Sequence, residues 1–202
     1  MSRPGIDRVF ERRLAELVNY GQKNALQGGL KGIEKESLRV VPSGRLSTRM
    51  HPSVLGSALT NEHITTDYSE SLIELVTPAF TESWELLQYL CDIHQFVYRH
   101  LDEELLWATS MPCLLEGDAG IPLAQFGSSN IGRMKTVYRS GLGLRYGRLM
   151  QAISGVHFNY SFPAHFWPIL KDLTRTRHGG ADFISESVTG NVGSNGIVSF
   201  VL

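Results

Sequence analysis

Apolar and polar positions alternate or recur in a series of stretches along the chain. Ile6, Val9, Phe10, Leu14, Leu17 and Val18 recur at helical spacing, and Gly21 is a plausible stop, which predicts a first amphipathic helix. Gly28 and Gly29 then turn the chain into a strand, Gly32 to Val40. Pro42, Ser43 and Gly44 mark a turn, and the segment through Pro52 reads as loop. A second strand is expected from Glu70 to Thr77, closed by Pro78, with Glu70, Leu72, Glu74 and Val76 on one face. From Thr81 a long helix is expected, with Trp84, Leu87, Leu90, Cys91, His94, Val97, Leu101 and Leu105 as its core stripe and His94 as a packed histidine. An irregular connection around Pro112 and residues 116–120 leads to a glycine-bounded loop, 127–132, and a helix carrying Arg133, Lys135, Tyr138 and Arg139. That loop fits no nucleotide-binding fingerprint. Last, Val156, Phe158, Tyr160 and Phe162 alternate strictly with His157, Asn159 and Ser161, which predicts a third strand.

The polar positions of these strands are unusual in kind. Glu34 and Glu36 fall two positions apart on one strand face, where their carboxylates repel unless solvent screens them or a cation sits between them. A solvated edge strand accommodates such a pair without any function. Glu74 stands between Ile73 and Leu75 in an apolar run, so it needs a partner. An arginine would serve, and so would a metal ion. Asp67 lies just before that strand and can turn toward the same place. With His157, these residues form a set of mostly oxygen ligands without cysteine, which suits Mg²⁺ or Mn²⁺ rather than structural zinc. Such clusters hold the ions that bridge phosphates in phosphoryl transfer.

Composition narrows the class. The 202 residues are 42% hydrophobic and 19% charged, which describes a globular chain, and the formal net charge of −1 argues against a dedicated nucleic-acid binder. The charge is segregated: residues 1–118 carry 11 Lys and Arg against 17 Asp and Glu, whereas residues 119–202 carry 8 against 3. No acidic residue lies between Asp118 and Asp172. An acidic part followed by a basic one suits a site holding metal ions beside anionic ligands. Cys91 and Cys113 show no metal-type spacing, no secretory signal is evident, and no apolar run approaches the ~20 residues of a membrane span, so the cytoplasm is the expected compartment.

Several longer motifs stand in one order. They are Gly32-Ile33-Glu34-Lys35-Glu36-Ser37-Leu38-Arg39-Val40, Ile64-Thr65-Thr66-Asp67-Tyr68, Glu74-Leu75-Val76-Thr77-Pro78, Ser110-Met111-Pro112-Cys113, Tyr138-Arg139 and Ile153-Ser154-Gly155-Val156-His157-Phe158-Asn159. Together they resemble the bacterial glutamate–cysteine ligases, from about Leu30 to about Glu186. The resemblance implies an α+β fold with a curved, mainly antiparallel sheet and helices outside, like part of the glutamine synthetase-like fold. It implies Mg²⁺ (or Mn²⁺) as cofactor and ATP, L-glutamate and L-cysteine as small-molecule substrates, with no membrane or nucleic-acid partner. The implied reaction phosphorylates the glutamate γ-carboxylate, and the cysteine amine then attacks the acyl phosphate. By motif, Glu34, Glu36, Asp67, Glu74 and His157 match metal-ligand positions, and Tyr138, Leu142 and Gln151 match positions lining the cysteine pocket. Arg133, Lys135 and Arg139 are anion contacts on charge grounds. Family members are much longer, so the resemblance covers only their first part. Residues 1–186 are accordingly read as the beginning of a ligase-like catalytic domain. Residues 187–202 carry no charge and read as a tail outside the family, or as a hydrophobic strand that pairs with a neighbour.

Overall fold

The computed structural model describes residues 4–19, 23–174 and 197–201, and divides into two compact units. The smaller comprises residues 1–31 and 159–199; the larger comprises residues 32–158 and 200–202. In the smaller unit, α1 (Pro4–Asn19) is the expected first helix and packs beside α4 (Phe166–Thr174). Its expected stop at Gly21 lies outside the described residues. Phe162 stacks on Phe166 at 4.7 Å and meets Trp167 edge-on at 5.6 Å, a small aromatic core of favoured geometry. Of residues 187–202, 187–196 lie outside the described residues and Ile197–Val201 form a strand, β6.

The larger unit is an antiparallel sheet with helices, the α+β arrangement expected. Its strands are β1 (Leu30–Val40), β2 (Ile64–Thr66), β3 (Leu72–Val76), the two-residue β4 (Leu105–Leu106) and the first half of β5 (Val156–Ser161). They are ordered β2-β3-β1-β5, with β4 paired to the far end of β1. The register of β1 on β3 sets Glu34 against Val76, Glu36 against Glu74, Ser37 against Ile73 and Leu38 against Leu72.

Two apolar clusters follow from that register. On one side of the sheet, Ile73 and Leu75 pack with Ile64, Leu106 and Val97, and with Leu90 and Ile93 of α2 (Ser83–Tyr98). On the other side, Leu38, Val40 and Leu72 pack with Cys113. Strand β1 therefore has two unlike faces. Glu34, Glu36, Leu38 and Val40 share one, acidic at its start and apolar at its end. Lys35, Ser37 and Arg39 share the other, where Arg39 is fully buried and pairs with Glu104 at 2.7 Å. Removing one partner of such a buried pair strands the other as an unpaired charge.

Three expectations need correction. The strand expected from Glu70 begins at Leu72, because residues 67–71 form the turn of a β2–β3 hairpin. Glu70 is buried in that turn, and its carboxylate accepts backbone N–H groups of His51 at 2.8 Å and Gln125 at 2.7 Å. The helix from Thr81 ends at Tyr98, so Leu101 and Leu105 lie beyond it; Asp102 there has φ 52°. The buried stripe of α2 is also offset from the one expected. Leu86, Leu90, Ile93 and Val97 face inward, while Trp84, Leu87 and Cys91 are exposed. Both sets satisfy helical spacing, so periodicity alone does not choose between them. His94 is the packed histidine expected, with Nδ1 3.1 Å from the Leu90 carbonyl.

Candidate metal and substrate site

The acidic residues come together because β1 and β3 are antiparallel neighbours. Residues directly opposite across such a pair have Cβ atoms about 5 Å apart, and like charges there are destabilising. Glu36 and Glu74 are opposite each other, Glu34 lies two positions along the same face, and Thr65 of β2 lies opposite Glu74. Asp67 follows β2, and Leu72 accepts a hydrogen bond from its N–H at 3.1 Å across the hairpin turn.

The other side of Glu36 is closed by the β5 segment. The Glu36 N–H donates to the Gly155 carbonyl at 3.0 Å, and the Gly155 N–H returns a bond to the Glu36 carboxylate at 2.7 Å. His157 Nε2 stands 3.7 Å from Glu36 Oε1. Gly155 permits this approach: a Cβ there would lie 3.1 Å from His157 Nε2 and 3.6 Å from Glu36 Oε2.

The electrostatics record the crowding. Burial pushes Glu74 up to about 7, and the Asp67, Glu36 and Glu34 carboxylates add to that, with Arg139 opposing them. Burial likewise raises Glu36, the Gly155 N–H offsets it, and Asp67 and Glu34 raise it against the pull of His157. Glu34, Glu36, Asp67, Glu74 and His157 thus form one interacting set. Their chemistry suits a hard divalent cation: carboxylate oxygens, one imidazole, and a surplus of negative charge. Among the described residues, however, no three His, Cys, Asp or Glu side chains already stand at metal-holding distances. The site is a repelling carboxylate pair with neighbours, and a cation would have to draw them inward.

The basic second half of the chain contributes α3 (Asn130–Tyr146), capped by Ser129, whose side chain accepts the Gly132 N–H at 3.1 Å. Arg139 reaches from this helix to Asp67. Its Nε donates to the Asp67 carbonyl and its Nη2 lies 3.8 Å from Oδ1. Both Arg139 and Lys135 lie over the Phe126 ring, at 4.5 and 5.0 Å from its centroid. Of the three expected anion contacts, Arg139 is thus the counter-ion of the acidic set, Lys135 is held against an aromatic ring, and Arg133 is exposed.

Tyr138 and Leu142 lie one turn apart on α3. Tyr138 is 62% exposed, whereas Leu142 packs against Tyr68, Ile121 and Ala152. Gln151 is half-buried in a short 3₁₀ turn, Met150–Ala152, beside that same cluster. The structure therefore packs Leu142 and Ala152, the neighbour of Gln151, into one cluster and leaves Tyr138 exposed. Sequence reasoning missed Gly155 as a donor to the Glu36 carboxylate, and named Arg139 as an anion contact without identifying Asp67 as its partner. The glycine directly before an alternating strand was the one available signal for the first.

A separate cleft of about 530 Å³ opens among His51, Ser57, Glu70, Gln125, Phe126 and Ser128. Both ring nitrogens of His51 are buried there without a hydrogen-bond partner, and burial lowers its pKa, so the ring is held neutral.

Comparisons with known proteins bear on this arrangement. The sequence profile of the glutamate–cysteine ligase family matches residues 14–192. A glutamate–cysteine ligase from Alcanivorax borkumensis is 49% identical over 176 residues, which is 87% of this chain and 34% of that protein. One from Pseudomonas entomophila is 53% identical over 179 residues, 89% of this chain and 33% of that protein. Among solved structures, the glutamate–cysteine ligase of Francisella tularensis in complex with AMP superposes with a TM-score of 0.69 at 41% identity, covering 80% of this chain and 32% of that one. A bifunctional glutathione synthetase from Pasteurella multocida superposes with a TM-score of 0.70 at 31% identity, covering 83% of this chain and 21% of that one. The chain spans about a third of the length of the curated relatives it matches.

Proposed function

The chain belongs to the glutamate–cysteine ligase family, and from that premise we propose that it carries the metal-binding part of a site for ATP-dependent joining of L-glutamate to L-cysteine. The observation that carries the reading is the Glu36–Glu74 pair, set face to face by the β1–β3 register, with Glu74 pushed up to about 7. Buried, like-charged carboxylates with raised pKa values cluster at functional sites, where a bound cation offsets both burial and repulsion. In this reading that cation is Mg²⁺ or Mn²⁺, held by Glu34, Glu36, Asp67, Glu74 and His157. When bound, the ion would neutralise phosphate and carboxylate charge so that one anion can approach another.

The chain's own residues have defined parts in this scheme. Gly155 fixes the Glu36 carboxylate by its N–H, and Arg139 holds Asp67 beside the cluster. Tyr138, Leu142 and Gln151 line a pocket for the cysteine substrate, a role supported by their motif and by the cluster that takes up Leu142 and Ala152, the neighbour of Gln151. The AMP complex of the Francisella relative supports a nucleotide as second ligand. No described helix is long and apolar enough to cross a membrane. In this reading the chain acts in the cytoplasm on small molecules, without nucleic acid or membrane. Residues 1–186 are the ligase-like part in this reading, and the family profile runs six residues into the segment 187–202, to residue 192.

Because the chain spans about a third of its relatives, the activity itself calls for two measurements. Titration calorimetry should show Mg²⁺ or Mn²⁺ binding that disappears in a Glu36→Gln, Glu74→Gln variant; equal heats from both proteins would refute the metal site. A coupled assay of ADP release with glutamate and cysteine should be silent for this chain alone, since loss of positioning costs many orders of magnitude in rate. Turnover abolished by Glu36→Gln would show that the whole site lies within these residues.

A further inference from the structure

One peptide group stands behind the Glu36 carboxylate. The Ser154–Gly155 amide is trans, so its carbonyl and its N–H point in opposite directions. At one end the Gly155 N–H donates to the Glu36 carboxylate at 2.7 Å. At the other end the Ser154 carbonyl accepts the hydroxyl of Ser110. The Ser110 carbonyl in turn accepts the Ser154 N–H at 2.9 Å, so the two serines are joined twice. The Glu36 N–H holds the next carbonyl along, that of Gly155, and not this one. The hydroxyl of Ser154 itself is buried without a hydrogen-bond partner among the described residues. The side chain that holds the carbonyl end of this amide is therefore Ser110.

Ser110 is referenced to the same strand that carries Glu36. It lies in the connection 107–113, and both ends of that connection rest on the apolar end of β1. The Trp107 N–H donates to the Leu38 carbonyl at 2.8 Å, and Cys113 packs with Leu38 and Val40. Inside the connection, Trp107 Nε1 and the Thr109 hydroxyl both donate to the Met111 carbonyl, at 2.9 and 3.1 Å. The contacts close a ring: Glu36 to Gly155, Ser154 to Ser110, then through the connection back to β1 at Leu38. All of these residues belong to the larger unit.

We propose that Ser110 is a positioning residue for the metal site: its hydroxyl sets the plane of the Ser154–Gly155 amide, so that the Gly155 N–H holds one side of the Glu36 carboxylate and leaves the rest for a divalent cation. The consequence for metal rests on the reading given above; the positioning of Glu36 does not. A donor on the carbonyl end of an amide also polarises its N–H and strengthens the bond at the far end. Outer partners of this kind tune a ligand without touching the ion, and their loss costs about 10–100-fold in metal affinity. Residue 110 is exposed, so water can stand in for a missing hydroxyl, and the informative substitution has to keep water out.

Thr and Val are close in shape, and only Thr carries a hydroxyl. Ser110→Thr and Ser110→Val in the full 202-residue chain therefore isolate the group in question. The first readout is the Gly155 amide proton by NMR, with chelator present. In the parent and in Ser110→Thr it should lie downfield and exchange slowly. In Ser110→Val it should move upfield and exchange roughly tenfold faster, as loss of about one hydrogen bond does. Amides of β3 should keep their rates in all three proteins. Equal Gly155 behaviour in the Thr and Val variants overturns the proposal, and so does a uniform acceleration across β1, β3 and β5, which is what a merely structural serine would give. Should Ser110→Val fail to fold, Ser110→Ala takes its place in the same comparison. The second readout is calorimetric titration with Mn²⁺. Binding should be weakened at least roughly tenfold in Ser110→Val and unchanged in Ser110→Thr. Equal affinities overturn the proposal. If none of the three proteins binds Mn²⁺, the metal reading fails by itself, and the Gly155 amide still decides whether Ser110 positions Glu36.

Discussion

Burial of Glu74 beside the Asp67, Glu36 and Glu34 carboxylates makes stability depend on pH in a direction opposite to that of most paired carboxylates. Glu74 has a folded value of about 7 against an ordinary 4.5. A carboxyl whose pKa is raised by folding favours the folded state while protonated. That contribution is complete below about pH 4.5 and is lost as pH rises toward 7. At about 1.4 kcal/mol per pH unit, the gap corresponds to about 3 kcal/mol between pH 4.5 and pH 8. For a domain of this size that is a melting shift on the order of 6–12 °C. The perturbation is Glu74→Gln, which keeps the shape and removes the titration. Urea unfolding of both proteins at several pH values, with chelator present, is the assay. The stability difference should be small near pH 4.5 and should grow in favour of the variant to about 3 kcal/mol at pH 8. Added Mg²⁺ should then stabilise the parent protein at pH 8 and leave the variant nearly unchanged. A stability difference that does not vary with pH would refute the claim that burial and neighbouring carboxylates hold Glu74 near neutrality. A magnesium effect of equal size in both proteins would separate the repulsion from any metal site.

Other predictions follow from packing. Gly132→Ala should destabilise the chain by about 1 kcal/mol or more in thermal unfolding, since the overlap with the Phe126 backbone outweighs a helix-propensity gain of about 1 kcal/mol; a stabilised variant would show that α3 can lift off its seat. Arg39→Met leaves Glu104 as a buried, unpaired charge and should cost about 3–5 kcal/mol in urea unfolding, whereas Arg39→Met with Glu104→Leu should recover much of it; full additivity of the two changes would mean that the pair is not coupled.

The parts of the site that were legible in sequence were those written in period two. Glu34 and Glu36 on alternate positions, and Glu74 inside Ile73–Leu75, needed only strand geometry to share a face, and the hairpin register then set Glu74 opposite Glu36. Strand β2 escaped notice because three residues are too few to show alternation. The turn at Glu70 escaped because Glu70, Leu72, Glu74 and Val76 keep the same parity whether or not the strand has begun. In α2 two stripes of equal spacing competed, and only the packing against Ile73 and Leu75 selects Leu86, Leu90, Ile93 and Val97. In α3 the rule that apolar residues point inward holds for Leu142 and fails for most of the helix. The rest of its inward face is glycine, threonine and an arginine reaching Asp67, and no hydropathy pattern distinguishes that from a solvent face.

Strand β1 has a consequence for how genes of this family can change. Its odd and even positions do opposite work: one set meets Glu74 and Gly155, and the other buries Arg39 against Glu104. Removing a single codon between Glu36 and Arg39 would exchange the two sets beyond the deletion, bringing a guanidinium to the apolar cluster around Leu72 and sending Val40 to Glu104. Point substitutions there can be graded in effect, but length changes cannot. This segment should therefore tolerate spelling errors far better than missing or extra letters, and its length should be fixed more strictly than its composition.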